Sequence, residues 1–168
     1  MSQHFLQSSY REKLIEHLFV GELLKHSWYR RNCALAIAKP EVDNGGYDII
    51  AEEPGVIRHI QLKAAHRSAS ARSQKVHRAL CEKPAGCVVW VQFDESSLEL
   101  GPYLFYGGSA QAPLSLEGFK TAKHTKANAA GVKGERQNIR VVPLKCFRRH
   151  LTVDALYDEL FTKKSTTR

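Results

Sequence analysis

Three residues, Asp48, Gln61 and Lys63, combine types and spacing that could do chemistry. They lie in GGYDIIAEEPGVIRHIQLKA, residues 45–64, which reads as a strand, a tight turn and a second strand. Side chains alternate along a strand, so Gln61 and Lys63 share one face while Ile60 and Leu62 take the other. If Pro54 and Gly55 are the central turn residues, Glu53 pairs with Val56 and Asp48 with Gln61, placing those two side chains about 5 Å apart. A longer loop would pair them diagonally, still within about 8 Å. A carboxylate and an amide oxygen beside an ammonium form a hard, oxygen-rich set suited to a divalent cation and to the phosphate oxygens such a cation binds.

A fourth candidate comes from REKLIEHLFVGELLKHSW, residues 11–28, an expected amphipathic helix. Stepping roughly 100° per residue from Leu14, the apolar residues Leu18, Ile15 and Phe19 span roughly 40° to 140°. Glu22 falls at roughly 80°, inside that stripe, and Glu16 at roughly 200°, so Glu22 is expected to point inward and Glu16 to face solvent. An inward carboxylate is costly unless paired, hydrogen-bonded or on a metal, and a cation shared with Asp48 would satisfy it. Two carboxylates and an amide oxygen suit Mg2+, with Mn2+ as a substitute. Asp43, in VDNGG, reads as a turn former with at most a supporting role.

These residues need a frame. The expected elements are the helix at 11–28, a strand at 33–39, a Gly- and Pro-rich loop at 40–46, the hairpin, a helix at 70–83 ending before Pro84, and a buried strand at 86–93. Further on, 103–108 and 138–144 read as added strands and 109–135 as loop. TVDALYDELF, 152–161, reads as a late helix capped by Thr152, followed by a frayed end at 162–168. With no internal repeat, one domain over 1–168 is expected, its core at about 11–93 and a basic elaboration with the terminal helix at about 94–161.

A helical Glu22, Asp48 after a glycine-rich turn and Gln61-Leu62-Lys63 on the next strand resemble the PD-(D/E)xK nuclease superfamily, as a QxK variant. The resemblance covers roughly residues 11–93. It implies an α/β, restriction-endonuclease-like αβββαβ core, with a mixed central sheet flanked by helices and a C-terminal elaboration. It also implies a Mg2+-dependent endonuclease cutting phosphodiester bonds in DNA, with Asp48, Glu22 and Gln61 on the metal and Lys63 as the catalytic lysine. Gly46-Tyr47 departs from the family's Pro-Asp start, and Gln61 removes one negative charge from the usual set.

A formal net charge of +8 points to a polyanionic partner. DNA is the expected one, with RNA an alternative, and a homodimer is expected if both strands of a duplex are cut. The cations singled out for nucleic-acid contact are Arg67, Arg72, Lys75 and Arg78, then Lys120, Lys123, Lys126, Lys133 and Arg136. The first four, at the start of the expected second helix, could grip flanking phosphates, which would set register without reading sequence. No apolar run approaches the roughly 18 residues of a membrane span, and four cysteines without a C-x-x-C pair suit a reducing, cytoplasmic setting. No zinc spacing, nucleophile elbow or phosphate loop is present. The rival reading is a nucleic-acid-binding module that keeps the nuclease fold without turnover.

Overall fold

The helix α1, Gln3–Arg30, runs without a proline and ends where Asn32 and Cys33 turn left-handed, at φ 53° and 58°. The structure is a computed structural model that describes residues 3–42, 44–124, 131 and 133–163. The turn reading of Asp43, the cation Lys126 and most of the expected frayed end fall outside the described residues.

Ile15, Phe19 and Leu23 give α1 its buried face, and Glu16, His26 and Ser27 are buried beside them. The face is therefore rotated by roughly 90° from the one expected around Leu14 and Leu18. Both of those residues are only half-buried. Apolar residues occur on two sides of this helix, and spacing alone does not distinguish the side that packs on the sheet from the side that stays open. The rotation brings Glu16 inward and leaves Glu22 on a partly exposed flank, with its side chain 37% accessible.

Strands β1 (Ala36–Ala38), β2 (Ile49–Glu53) and β3 (Val56–His66) form an antiparallel meander. Glu53 pairs with Val56 across Pro54-Gly55, and Gly55 takes φ +80°, the left-handed geometry that a type II turn needs at its second central residue. The direct register holds. The Asp48 N–H donates to the Ile60 carbonyl at 2.8 Å, one bond beyond the last paired residues, Ile49 and Ile60.

The segment expected as a helix at 70–83 is instead the strand β4, Ser73–His77, followed by a 3-10 turn, Arg78–Glu82. Val76 and Leu80 are spaced as on a helix, but residues 73–77 have a distant partner. β4 pairs antiparallel with β8, Glu135–Pro143, joining Val76 to Arg140, and the ladder overrides the local pattern. There is accordingly no helix N-terminus here to grip phosphates.

β5 (Gly86–Phe93) pairs parallel with β3, and β6 (Leu100–Gly107) and β9 (Arg148–His150) extend the sheet antiparallel. The order is β1-β2-β3-β5-β6-β9, with a second sheet β4-β8-β7, where β7 is Thr121–Lys123. The expected loop at 109–135 thus contains a short strand. The helix α2, Val153–Phe161, follows its Thr152 cap as expected, with the Thr152 hydroxyl accepting from the Ala155 N–H.

The described residues form an α/β protein of two α-helices, a mixed six-strand sheet and a three-strand antiparallel sheet. β5 sorts the layers. Cys87, Val89, Val91 and Phe93 join a core with Ile15, Phe19 and Leu23 of α1 and Leu156, Tyr157 and Leu160 of α2. Val88 and Trp90 point the other way and pack with Val76, Leu80 and Val142 of the second sheet and its 3-10 turn. Among the described residues, no helix is long and apolar enough to cross a membrane.

Candidate functional site

β2 stops at Ile49, so β3 from Gln61 onward has no strand neighbour on that side among the described residues. The open edge is where the site forms. A cavity of about 590 Å3 wraps it, lined from α1 by Glu12, Lys13 and Glu16, from the hairpin by Asp48, Gln61 and Lys63, and from β4 by Gln74. Gln61 and Lys63 pair with Val88 and Trp90, and in a parallel ladder paired residues point to the same face, here toward the second sheet. Leu62 packs toward the helices and lends its backbone N–H to Asp48, whose Oδ2 accepts it at 2.7 Å. The Asp48 backbone and one carboxylate oxygen are thus both anchored to β3.

Of the four residues expected at the site, three meet and one does not. Asp48, Gln61 and Lys63 share the cavity. Glu22 pairs with Lys25 at 3.4 Å and lines two other depressions, beside His26 and Asp154 and beside Tyr103. Burial, with the Glu22 charge adding to it, pushes the Tyr103 phenol up to about 12. The helical acids in the cavity are Glu12 and Glu16, and a helical face seeded on Phe19 and Leu23 instead of Leu14 would have found them.

Glu16 is the more constrained of the two. Its carboxylate accepts from Lys39 Nζ at 2.6 Å on Oε1 and from Lys13 Nζ at 3.0 Å on Oε2. Burial by itself would raise the Glu16 carboxyl, but the hydrogen bonds and charges of Lys39 and Lys13 outweigh it and hold the group below its ordinary value of 4.5. A depressed carboxylate contributes stability that is complete above the unfolded-state value and is lost as pH falls through the lower, folded-state value. Glu16→Gln is therefore expected to flatten the acid limb of the stability curve below about pH 4.5, measured by urea melts across pH, and to leave the neutral slope unchanged.

The Gln61 Oε1 atom is buried and has no hydrogen-bond partner among the described residues. A buried amide oxygen without a donor is costly, and a cation is one physical means of satisfying it. The donor set at hand is this amide oxygen, the Asp48 carboxylate and the carboxylates of Glu12 and Glu16. These are hard oxygens of the kind Mg2+ takes. Among the described residues, no three His, Cys, Asp or Glu side chains cluster closely enough to hold a metal ion by themselves. The amide oxygen is thus needed to complete a site, and Glu16 would join it through the lone pairs its two lysine hydrogen bonds leave open.

The cations singled out from the sequence divide by setting. Arg67 ties strand ends together, donating from Nε to the Gly101 carbonyl at 2.7 Å and standing 3.7 Å from the Glu99 carboxylate. Arg72 and Lys75 are exposed on and beside β4, the strand that supplies Gln74 to the cavity. Arg78 lies elsewhere, in a larger cleft of about 880 Å3 with Arg140 and Phe119. Lys120, Lys123, Lys133 and Arg136 are exposed on and around β7 and β8, and Lys123 is paired in register with Glu135. No family model and no curated protein sequence matches this chain.

Proposed function

We propose that the chain is a metal-dependent endonuclease that hydrolyses phosphodiester bonds in DNA, built on a restriction-endonuclease-like core. Support for the core comes from a helix, an antiparallel meander and a parallel return strand, with Asp48 opening the second strand and Gln61-x-Lys63 on the third. β4 and a 3-10 turn stand where the second helix of that core is expected. The observation that carries the reading is the buried Gln61 Oε1, without a hydrogen-bond partner among the described residues, on a side chain that lines the same cavity as Asp48, Lys63 and two helical acids.

In this reading Asp48, the Gln61 amide and a helical acid, Glu16 or Glu12, would hold Mg2+ or Mn2+. The bound ion would polarise the scissile phosphate and lower the pKa of a water. Lys63 orients that water and offsets charge building on the phosphate. Lys13 and Lys39 neutralise Glu16 in the free protein, and an incoming phosphate offers both ammonium groups another anion. Arg72 and Lys75 extend positive charge beyond the cavity and set affinity without reading bases.

One observation favours a second reading, a nucleic-acid-binding module without turnover. Both Glu16 oxygens already accept from lysines, and among the described residues the acids lining the cavity do not come close enough together to hold a metal ion by themselves. Purified protein incubated with duplex, single-stranded and branched DNA and with RNA, in Mg2+, Mn2+ or chelator, separates the two. The nuclease reading expects metal-dependent cutting of DNA that falls roughly a hundred-fold in Glu16→Gln or in Glu12→Gln and is unchanged in Glu22→Gln. Salt-sensitive binding with no cutting under any metal supports the module, and absence of binding at low salt removes both.

A further inference from the structure

The face of α1 opposite the core carries a second apolar stripe. Tyr10, Leu14, His17, Gly21, Leu24 and Trp28 follow one another at alternating steps of four and three residues, the spacing of a helix–helix seam. Tyr10 is 75% exposed, Trp28 70% and Leu24 43%, and a side chain at Gly21 would meet nothing within 4 Å among the described residues. The stripe is therefore open except at Leu14, which is half-buried.

Its order is self-complementary. Tyr10 and Trp28, Leu14 and Leu24, and His17 and Gly21 lie at equal distances on either side of position 19. Two copies of α1 laid antiparallel across a two-fold axis at that position set each aromatic against the other kind, leucine against leucine, and the imidazole against the glycine. A closed two-fold contact of this type uses the same patch on both subunits. The bulky His17 meets the one seam position without a side chain, which lets the helix axes approach. The two aromatics contribute about 150 Å2 each or more, so the seam removes on the order of 1,000 Å2 from both copies, the low end for a specific interface.

We propose that this stripe is the contact surface of an antiparallel homodimer, formed through α1 by a second copy of the chain. The proposal stands independently of the nuclease reading. The active cavity faces roughly 110° away around the helix and stays open. Beside the seam lie Arg11 and Lys25, and the antiparallel arrangement brings Arg11 of each copy toward Lys25 of the other. Glu22, 3.4 Å from Lys25 in its own chain, offsets only part of that like-charge contact, so added salt should strengthen the association modestly.

Sedimentation velocity of the full chain across concentration and salt tests this. The expected result is a dimer with a dissociation constant on the order of 10 µM that tightens with salt and is lost in Leu24→Lys and in Trp28→Lys. Val42→Lys, at another exposed apolar side chain, should leave it intact. Lys25→Glu reads the direction of the helices: the antiparallel register supplies Arg11 as its partner, so association should tighten roughly five-fold at low salt, and salt should now weaken it. Circular-dichroism melts confirm that the variants are folded. A monomer at every soluble concentration overturns the proposal, as does a dimer that survives Trp28→Lys or is unmoved by Lys25→Glu. Salt-sensitive binding to vesicles of anionic lipid that Trp28→Lys abolishes would assign the stripe to a membrane surface instead.

Discussion

Asp48→Asn is expected, on the proposed nuclease reading, to reduce metal-dependent DNA cleavage by roughly a thousand-fold while leaving the fold and DNA affinity close to those of the wild type. The substitution isolates charge from shape. Asp48 opens β2, with its backbone N–H on the Ile60 carbonyl and its Oδ2 accepting from the Leu62 N–H. An asparagine keeps an oxygen in place for Leu62, so the edge of β3 retains its hydrogen bond. What disappears is the negative charge beside the Gln61 amide oxygen. That oxygen is neutral, so the site has little anionic character to spare, and the loss should appear in kcat and in the metal concentration needed for half-maximal rate. Single-turnover cleavage across a Mg2+ titration measures both, and a rate within ten-fold of wild type at saturating metal would remove Asp48 from the chemistry.

The largest expected effect on stability lies away from the site, at Arg58. This side chain is fully buried, yet among the described residues no carboxylate is hydrogen-bonded to its guanidinium. Its Nε donates to the Leu160 carbonyl at 2.7 Å, and its Nη2 donates to the carbonyls of Glu159 and Gly108, each at 3.2 Å. The charge also stands 5.5 Å from the centre of the Phe105 ring. Leu160 and Glu159 close α2, where backbone carbonyls lack helical partners and the dipole favours a cation. Burial draws Arg58 below its ordinary value, with the charges of Cys87 and Glu159 opposing that shift.

Arg58→Ala would leave three carbonyls without their donor and open a cavity between β3 and α2, so a loss of about 4 kcal/mol is expected in urea denaturation. Arg58→Met keeps the packed stem and should recover about half of that. Arg58→Lys has one ammonium where the fork served three carbonyls and should also fall short of wild type. A loss under about 1 kcal/mol for Arg58→Ala would show that water or rearrangement replaces the fork at little cost.

The hairpin was legible because its signals are local. Pro54-Gly55 marks the turn, period-2 alternation marks Gln61 and Lys63 as facing alike, and together they fix Asp48 beside Gln61. α2 was legible for the same reason, with an apolar stripe at helical spacing and Thr152 as its cap. The helical acid was not. α1 has apolar residues on the core side and again on the opposite side, so periodicity alone does not say which stripe is buried, and Glu22 was chosen over Glu16. β4 was hidden because its strand character depends on β8, far along the chain, while Val76 and Leu80 imitate a helix. Arg58 inverts the usual reading: it is buried between Val56 and Ile60 while the neighbouring Ile57 is 42% exposed, because its partners are backbone carbonyls of α2 and of the chain after β6.

The central claim is that oxygens from Asp48, Gln61 and a helical acid converge on one divalent ion beside Lys63. Anomalous diffraction from crystals soaked in Mn2+ tests it most directly. The account predicts a peak about 2.2 Å from both the Asp48 carboxylate and the Gln61 Oε1 atom, with Glu16 or Glu12 at the same ion and no peak in Asp48→Asn. Manganese bound elsewhere, or a Gln61 amide that stays turned away from any ion at saturating metal, would contradict it.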